Sequence, residues 1–223
     1  MSTPMLRFPR RVVSFKPHWP MVVAAAVFLG ACTGAPASET ASSQAPSPDT
    51  QLERGATQAP QSQQFAYFAG GCFWGVEHYL EQMDGVLAVE SGYMGGTTDN
   101  PTYDDVLTHA TGHLETVRIR YDPSKVQYRE LAKRFFEIHD PTQQDGQGPD
   151  IGNQYLSAVF AVDDAQKKDT EELIEILRER GYDVATTVRG AGDFWIAEGY
   201  HQDYYARTGK TPYCHARVRR FGD

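Results

Sequence analysis

The run Gly71-Cys72-Phe73-Trp74-Gly75 constrains this chain more than any other stretch, because it joins two hydrophobic patterns of different period. Upstream, Phe65-Ala66-Tyr67-Phe68-Ala69 has aromatic residues recurring among small ones and reads as a buried strand. Downstream, Val76, Tyr79, Leu80 and Met83 fall at i, i+3, i+4 and i+7, one face of a helix that stops at Gly85. A strand running straight into a helix puts Cys72 at or near the helix N-terminus. Unpaired amide N–H groups and the positive end of the helix dipole favour a thiolate there, so the spacing predicts a depressed Cys72 pKa. Gly70 and Gly71 are expected to let the backbone approach a bound group closely. Phe73 and Trp74 set two large rings beside the sulfur. Free cysteines are also among the most buried residues, so a structural thiol in a core turn fits the same pattern.

With 223 residues, 40% hydrophobic and 22% charged, the chain can build one globular domain with extra segments. Residues 1–32 read as a leader. Arg7, Arg10, Arg11 and Lys16 form a basic region, and Met21 to Leu29 is an apolar run too short to span a bilayer. The leader ends in Leu29-Gly30-Ala31-Cys32, which resembles a bacterial lipobox, so Cys32 is expected to carry the lipid as the mature N-terminus. An ordinary signal peptide cleaved nearby and an uncleaved anchor are the alternatives. Thr33, in place of an aspartate, points to the outer membrane by resemblance to lipoprotein sorting rules. The expected location is the bacterial cell envelope, lipid-anchored on the periplasmic face of the outer membrane.

Without the four basic residues of the leader, 17 of the 21 Lys and Arg remain against 29 Asp and Glu, a net of −12. That balance argues against nucleic acid and against electrostatic adhesion to anionic lipid, leaving the N-terminal lipid as the membrane link. Residues 33–62 are rich in Ala, Ser, Thr, Pro and Gln, lack aromatic residues and carry Leu52 as their one large aliphatic. They cannot bury enough surface to order themselves and read as a flexible tether of roughly 30 Å root-mean-square span. The folded domain is then 63–223.

Within it the pattern predicts strand 65–69, helix 73–83, strand 86–93, a short helix near 103–108 and strand 114–121. Helix 128–138, strand 155–162, helix 164–180 with Gly181 as its stop, a short strand near 185–189 and an aromatic-rich end follow. Strands alternating with single helices predict a two-layer α/β sandwich with a mixed sheet, a ferredoxin-like core, long loops and a coil-rich C-terminal end. Loops 92–113 and 141–155 are long, and long loops on a compact scaffold tend to carry function. Strand 114–121 alternates, with Glu115, Val117, Ile119 and Tyr121 on one face. Its apolar companions turn Glu115 inward, where desolvation raises the carboxyl pKa and makes a proton donor near neutral pH. A frayed strand start with Glu115 in water is the competing reading.

Gly71-Cys72-Phe73-Trp74-Gly75, Ser91-Gly92-Tyr93-Met94-Gly95-Gly96, Pro101-Thr102-Tyr103 and Thr111-Gly112-His113-Leu114-Glu115 together resemble the A-type peptide methionine sulfoxide reductase family. So do His139-Asp140-Pro141-Thr142-Gln143 and Asp150-Ile151-Gly152-Asn153-Gln154-Tyr155, and the likeness covers about 65–215. The resemblance implies that Cys72 attacks the sulfur of a methionine S-sulfoxide while Glu115 protonates the leaving oxygen. Methionine departs, and the cysteine sulfenic acid left behind condenses with a second thiol. Tyr103 and Tyr155 would orient the sulfoxide oxygen, Asp150 would hold the pocket together, and Phe73 and Trp74 would cage the S-methyl group. The implied partners are peptide or protein methionine sulfoxide and a thioredoxin-like thiol reductant, with no cofactor, no metal and a monomeric chain. Leu156 departs from the family pattern, standing where arginine is common.

Besides Cys32, the cysteines are Cys72 and Cys214, far apart and in no C-x-x-C pattern. In an exported protein two such residues often form a structural disulfide. The setting of Cys72 favours a redox pair that opens and closes, with Cys214 as the recycling thiol. Recycling cysteines of the family often lie in glycine-rich tails. Pro212-Tyr213-Cys214-His215-Ala216-Arg217-Val218 has few glycines, and its His215 and Arg217 can lower a thiol pKa. His109 and His113 are four apart, but Gly112 intervenes and no ligand cluster follows, so no metal site is expected. His201 and Trp195 are expected to pack the end of the domain. Two other classes compete: a lipid-anchored Cys/His hydrolase of cell-wall peptides, and a binding module with a permanent Cys72–Cys214 disulfide.

Overall fold

The computed structural model describes residues 63–222. The leader, Cys32 and the 33–62 tether lie outside the described residues. The elements in chain order are β1 (Gln64–Gly70), α1 (Phe73–Leu80), β2 (Val86–Met94), α2 (Tyr103–Leu107), β3 (Leu114–Tyr121) and α3 (Tyr128–Ile138). There follow β4 (Gly146–Gln147), β5 (Asp150–Ile151), β6 (Ser157–Ala161), α4 (Asp164–Glu179), β7 (Thr187–Gly190), β8 (Phe194–Ile196) and α5 (Tyr204–Thr208).

The main sheet runs β7-β6-β1-β3-β2-β8, with β4 and β5 as a separate small hairpin. Its pairings are antiparallel except β6–β7, which is parallel, so the sheet is mixed. The series β1-α1-β2-β3-α3-β6 with sheet order β6-β1-β3-β2 is the ferredoxin-like arrangement the alternating pattern predicts, extended by one strand at each edge. Strand β3 lies between β1 and β2, with Glu115 opposite Tyr93.

One core fills the space between sheet and helices. Phe68, Val117, Ile119 and Tyr121 of the strands meet Val76 and Leu80 of α1, Leu131, Phe135 and Ile138 of α3, and Leu173 and Leu177 of α4. Phe68 and Phe135 stack with ring centroids 4.7 Å apart. Helix α4 starts where the Asp163 side chain accepts the Gln166 N–H at 2.8 Å. It ends in a left-handed Gly181 (φ 89), as the sequence predicts, with Tyr182 N–H donating to Leu177 O at 3.1 Å.

The differences from the sequence expectation are local. Helix α1 is regular only to Leu80, and a turn carries the chain on through Met83, whose N–H donates to Leu80 O. The aromatic-rich end holds β8 and α5. Three-residue β8 shows no usable alternation of its own, yet it pairs with Gly92–Met94. Gly92 permits this, because a Cβ there would overlap Phe194 and the Trp195 carbonyl.

Residues 209–222 form no regular element but are strapped to α3. Val218 N–H donates to Glu137 O at 2.7 Å, Arg217 Nε to Glu137 Oε2 at 2.8 Å, and an Arg220 guanidinium nitrogen to Phe136 O at 2.8 Å. The strap lays residues 213–215 against the β1–α1 junction, where Tyr79 O–H donates to His215 O at 3.4 Å. Among the described residues no helix is long and apolar enough to cross a membrane.

Glu77 ties α1 to the segment that opens α5. Its Oε2 accepts the Asp203 N–H at 3.1 Å, and Asp203 holds a left-handed φ of 52. Burial pushes the Glu77 carboxyl up to about 8. Between the ordinary carboxyl range and that value, the folded chain keeps a proton that the unfolded chain has released, so stability falls as pH rises. Urea unfolding between pH 5 and 8 should show this decline. Glu77→Gln should make the slope shallower by up to about 1.4 kcal/mol per pH unit, one proton's worth. Identical slopes would mean that Glu77 is ionised in the fold.

Candidate active site

Strand β1 ends in Gly70 and Gly71, and Cys72 caps α1 with its carbonyl accepting the Gly75 N–H at 3.1 Å. The two glycines make room for protein side chains rather than for a ligand, contrary to expectation. A Cβ on Gly71, which has φ +93, would overlap the Gln147 side chain, and one on Gly70 would lie 2.7 Å from the Phe135 ring. Gln147 in turn bonds the Asp140 backbone through both ends of its amide, at 3.0 and 3.1 Å. The 141–155 loop is thereby docked on the junction.

Glu115 is 2% exposed on the inward face of β3, as the alternation predicts. Its Oε2 accepts the Phe73 N–H at 3.0 Å. Burial raises its carboxyl well above the ordinary range; the neighbouring Cys72 and Asp150 act in the same direction and the Phe73 N–H opposes them. Tyr103 from α2 and Tyr155 from the end of the second loop share a hydrogen bond beside it. Burial and the Glu115 charge raise both phenols, so at neutral pH they are O–H donors.

Cys72 is 6% exposed, and its Sγ, the Cys214 Sγ and an Asp150 carboxylate oxygen lie within 4.8 Å of one another. Both cysteines are free thiols. The structure reverses the expected direction of the Cys72 pKa. The hydrogen bond with Cys214 and then burial push the thiol up; the Trp74 N–H at the helix start lowers it, as the sequence predicts, but is outweighed. Cys214 Sγ lies 3.0 Å from His215 Nδ1, and His215 Nε2 donates to Gly70 O at 2.8 Å. Arg217, expected beside the Cys214 thiol, is engaged with Glu137 instead. Tyr213 O–H donates to both Asp150 carboxylate oxygens at 3.0 Å.

Phe73 and Trp74 form an aromatic wall. The Trp74 ring stacks on Tyr204 with centroids 3.7 Å apart, and its Nε1 donates to His201 Nδ1 at 3.1 Å. His201 lies 4.9 Å from the Phe73 ring and 4.6 Å from Tyr103, so it joins the wall to the tyrosines. Glu198 anchors this side, accepting the Tyr103 N–H at 2.8 Å and the Tyr93 O–H at 2.9 Å. Trp195 on β8 packs against the core.

The structure thus gathers Cys72, Glu115, Tyr103, Tyr155, Asp150, Cys214, Phe73 and Trp74 around one junction. Sequence reading assigned no role to Glu198, Tyr204 or Tyr213. Their one signal was the aromatic and acidic density of the C-terminal end. Two of the three donor atoms in the Cys72, Asp150 and Cys214 cluster are the thiols of the redox pair itself, and the third is an Asp150 carboxylate oxygen. His113 is held by the backbone on both sides, with Gly96 N–H donating to Nδ1 at 3.1 Å and Nε2 donating to Thr98 O at 2.8 Å. It closes a loop.

A family model described as peptide methionine sulfoxide reductase matches residues 64–222. Peptide methionine sulfoxide reductase MsrA of Deinococcus radiodurans is 43% identical over 165 residues, covering 73% of this chain and 80% of that protein. MsrA 1 of Rhodopirellula baltica is 45% identical over 170 residues, covering 72% of this chain and 88% of its own. Among solved structures, reduced Mxr1 from Saccharomyces cerevisiae superposes with a TM-score of 0.67 at 34% identity, over 71% of this chain and 94% of that one. Methionine sulfoxide reductase A of Corynebacterium diphtheriae gives 0.61 at 32% identity, over 70% and 79%. A thiol, a buried acid and two phenols at one junction, on a domain matched along its whole described length, place this chain in the A-type peptide methionine sulfoxide reductase family of oxidoreductases.

Proposed function

We propose that this chain reduces methionine S-sulfoxide in peptides and proteins, with Cys72 as nucleophile and Glu115 as acid. The observation that carries this reading is the Phe73 N–H donating to Glu115 Oε2 at 3.0 Å. It puts a proton-bearing carboxyl one residue from the thiol. Tyr103 and Tyr155 donate to the sulfoxide oxygen, and Phe73 and Trp74 receive the S-methyl group. Glu115 passes its proton to the oxygen as the Cys72 sulfur attacks. The Cys72 S–O bond forms as the methionine S–O bond breaks, so methionine leaves and Cys72 carries the hydroxyl as a sulfenic acid. The Cys72 proton returns the carboxyl to its starting state.

Cys214 then condenses with the sulfenic acid, releasing water and leaving a Cys72–Cys214 disulfide. A thioredoxin-like dithiol reduces that disulfide. The proximity of the two sulfurs supports this order. The competing hydrolase reading needs a histidine on Cys72, whereas the histidine bonded to a thiol is His215, on Cys214.

The leader and its lipobox support an enzyme held by lipid on Cys32 at the periplasmic face of the outer membrane, repairing oxidised exported proteins. The acidic balance of the rest of the chain suits attachment by lipid rather than by charge.

In a single turnover, Glu115→Gln should slow methionine release by about 10²–10⁴-fold, the usual worth of general acid catalysis. An unchanged rate would remove Glu115 from the chemistry. Cys214→Ala removes the largest contribution holding the proton on Cys72, so the pH dependence of Cys72 alkylation should move to lower pH. With thioredoxin as donor the same variant should release about one methionine and stall. Full turnover would show that the donor attacks Cys72 directly. Cys32→Ser should abolish labelling by radioactive fatty acid, and persisting label would place the anchor elsewhere.

A further inference from the structure

We propose that His215 is the proton acceptor that activates Cys214 for disulfide formation, and that Gly75 is the notch that seats its ring. The inference rests on the recycling role of Cys214 given above. His215 Nε2 lies 2.8 Å from the Gly70 carbonyl. A carbonyl only accepts, so Nε2 carries the hydrogen and the neutral ring presents Nδ1 as a bare acceptor. That atom is 3.0 Å from Cys214 Sγ, so the thiol donates to it.

The ring is 4% exposed and lies against the first turn of α1. A Cβ on Gly75 would overlap His215 Nδ1, and one on Gly71 would come within 3.7 Å of its Cε1. The last glycine of the Gly71-Cys72-Phe73-Trp74-Gly75 run is therefore shaped by the histidine rather than by Cys72. Separate contacts hold the neighbours, with Tyr213 on Asp150 and Arg217 on Glu137. Cys214 is presented on a fixed strap.

The groups facing the ring are Cys214 beside it, Asp150 and Cys72 across the thiol cluster, and His139 from the end of α3. Burial lowers the His215 pKa and keeps the resting imidazole neutral, while Asp150 favours the imidazolium formed in passing. In the step itself the Cys214 proton moves to Nδ1 and the sulfur attacks the sulfenic sulfur of Cys72. The Cys72 S–O bond breaks, and the departing hydroxyl takes the proton from Nδ1 as water. Sulfoxide oxygen thus leaves as water, the two sulfurs end as a disulfide, and no further oxidant is needed.

The test is a single turnover of the full chain with a methionine S-sulfoxide peptide and no reductant. Methionine release and disulfide formation are read separately, by chromatography and by the mass of acid-quenched enzyme. In His215→Asn the ratio of the disulfide rate to the methionine rate should fall by about 10²-fold or more, within the range of general base catalysis. Dimedone should trap the accumulating sulfenic acid. Gly75→Ala should give the same pattern by displacing the ring. In the wild type, disulfide formation should slow only once pH falls below the ordinary imidazole range, because burial lowers the His215 pKa and the ring takes up a proton and stops accepting only there. This last readout needs no variant to fold. An unchanged ratio in His215→Asn or a flat wild-type profile would each overturn the role. Absence of methionine from the wild type would overturn the underlying reduction as well.

Discussion

The hydrogen bond from Phe73 N–H to Glu115 Oε2 is the contact on which the rest of the site depends. It joins the first residue of α1 to the strand in the middle of the ferredoxin-like core, so the thiol and the acid are spaced by backbone rather than by flexible side chains. Register makes it possible. Glu115 faces inward because β3 pairs with β1 and β2 in the phase that also buries Val117, Ile119 and Tyr121. A slip of one residue would turn that whole set outward, so the packing of the core protects the position of the acid.

The second constraint is the strap that closes over the junction. Cys214, His215 and Tyr213 come from the far end of the sequence, yet they meet Cys72, the Gly70 carbonyl and Asp150 respectively, near the start of α1 or on the 141–155 loop. Glycine serves here by subtraction: Gly71 and Gly75 lack the side chains that would push Gln147 and His215 away. The glycines flanking Cys72 thus record what must come close to the thiol.

Much of this was legible in the sequence because period and burial coincide. The alternation of 114–121 gave the face of Glu115, and the change of period at Cys72 gave the strand-to-helix junction. The 3.6-residue spacing of Leu131, Phe135 and Ile138 marked α3. What escaped is what periodicity does not encode. Strand β8 has three residues and depends on a distant partner, Gly92–Met94, while the β4–β5 hairpin has two residues per strand, too few to show alternation. The direction of the Cys72 pKa escaped for the same reason. The helix N-terminus is a local feature and acts as expected, but the larger contribution comes from Cys214, 142 positions along the chain. His215 was visible as a neighbour of Cys214; the Gly70 carbonyl that fixes its tautomer was not.

The raised Cys72 and raised Glu115 describe one situation. Two ionised groups in a closed site would repel each other without water to screen them; the Cys72 charge is among the causes that raise Glu115, and the hydrogen bond with Cys214 and then burial raise Cys72. The resting site therefore stores its reactivity as two protons rather than as a thiolate. In the proposed mechanism the sulfoxide resolves this, because its oxygen takes the Glu115 proton and the emptied carboxylate can accept the one on Cys72. Charge is never stranded, since each transfer is matched by the next. A site built this way stays quiet toward oxidants that bring no polar oxygen to the acid, while a preformed thiolate would be open to all of them. On this view the hydrogen bond with Cys214 and the burial that together make Cys72 a poor thiolate in the free enzyme are what couple its activation to substrate binding.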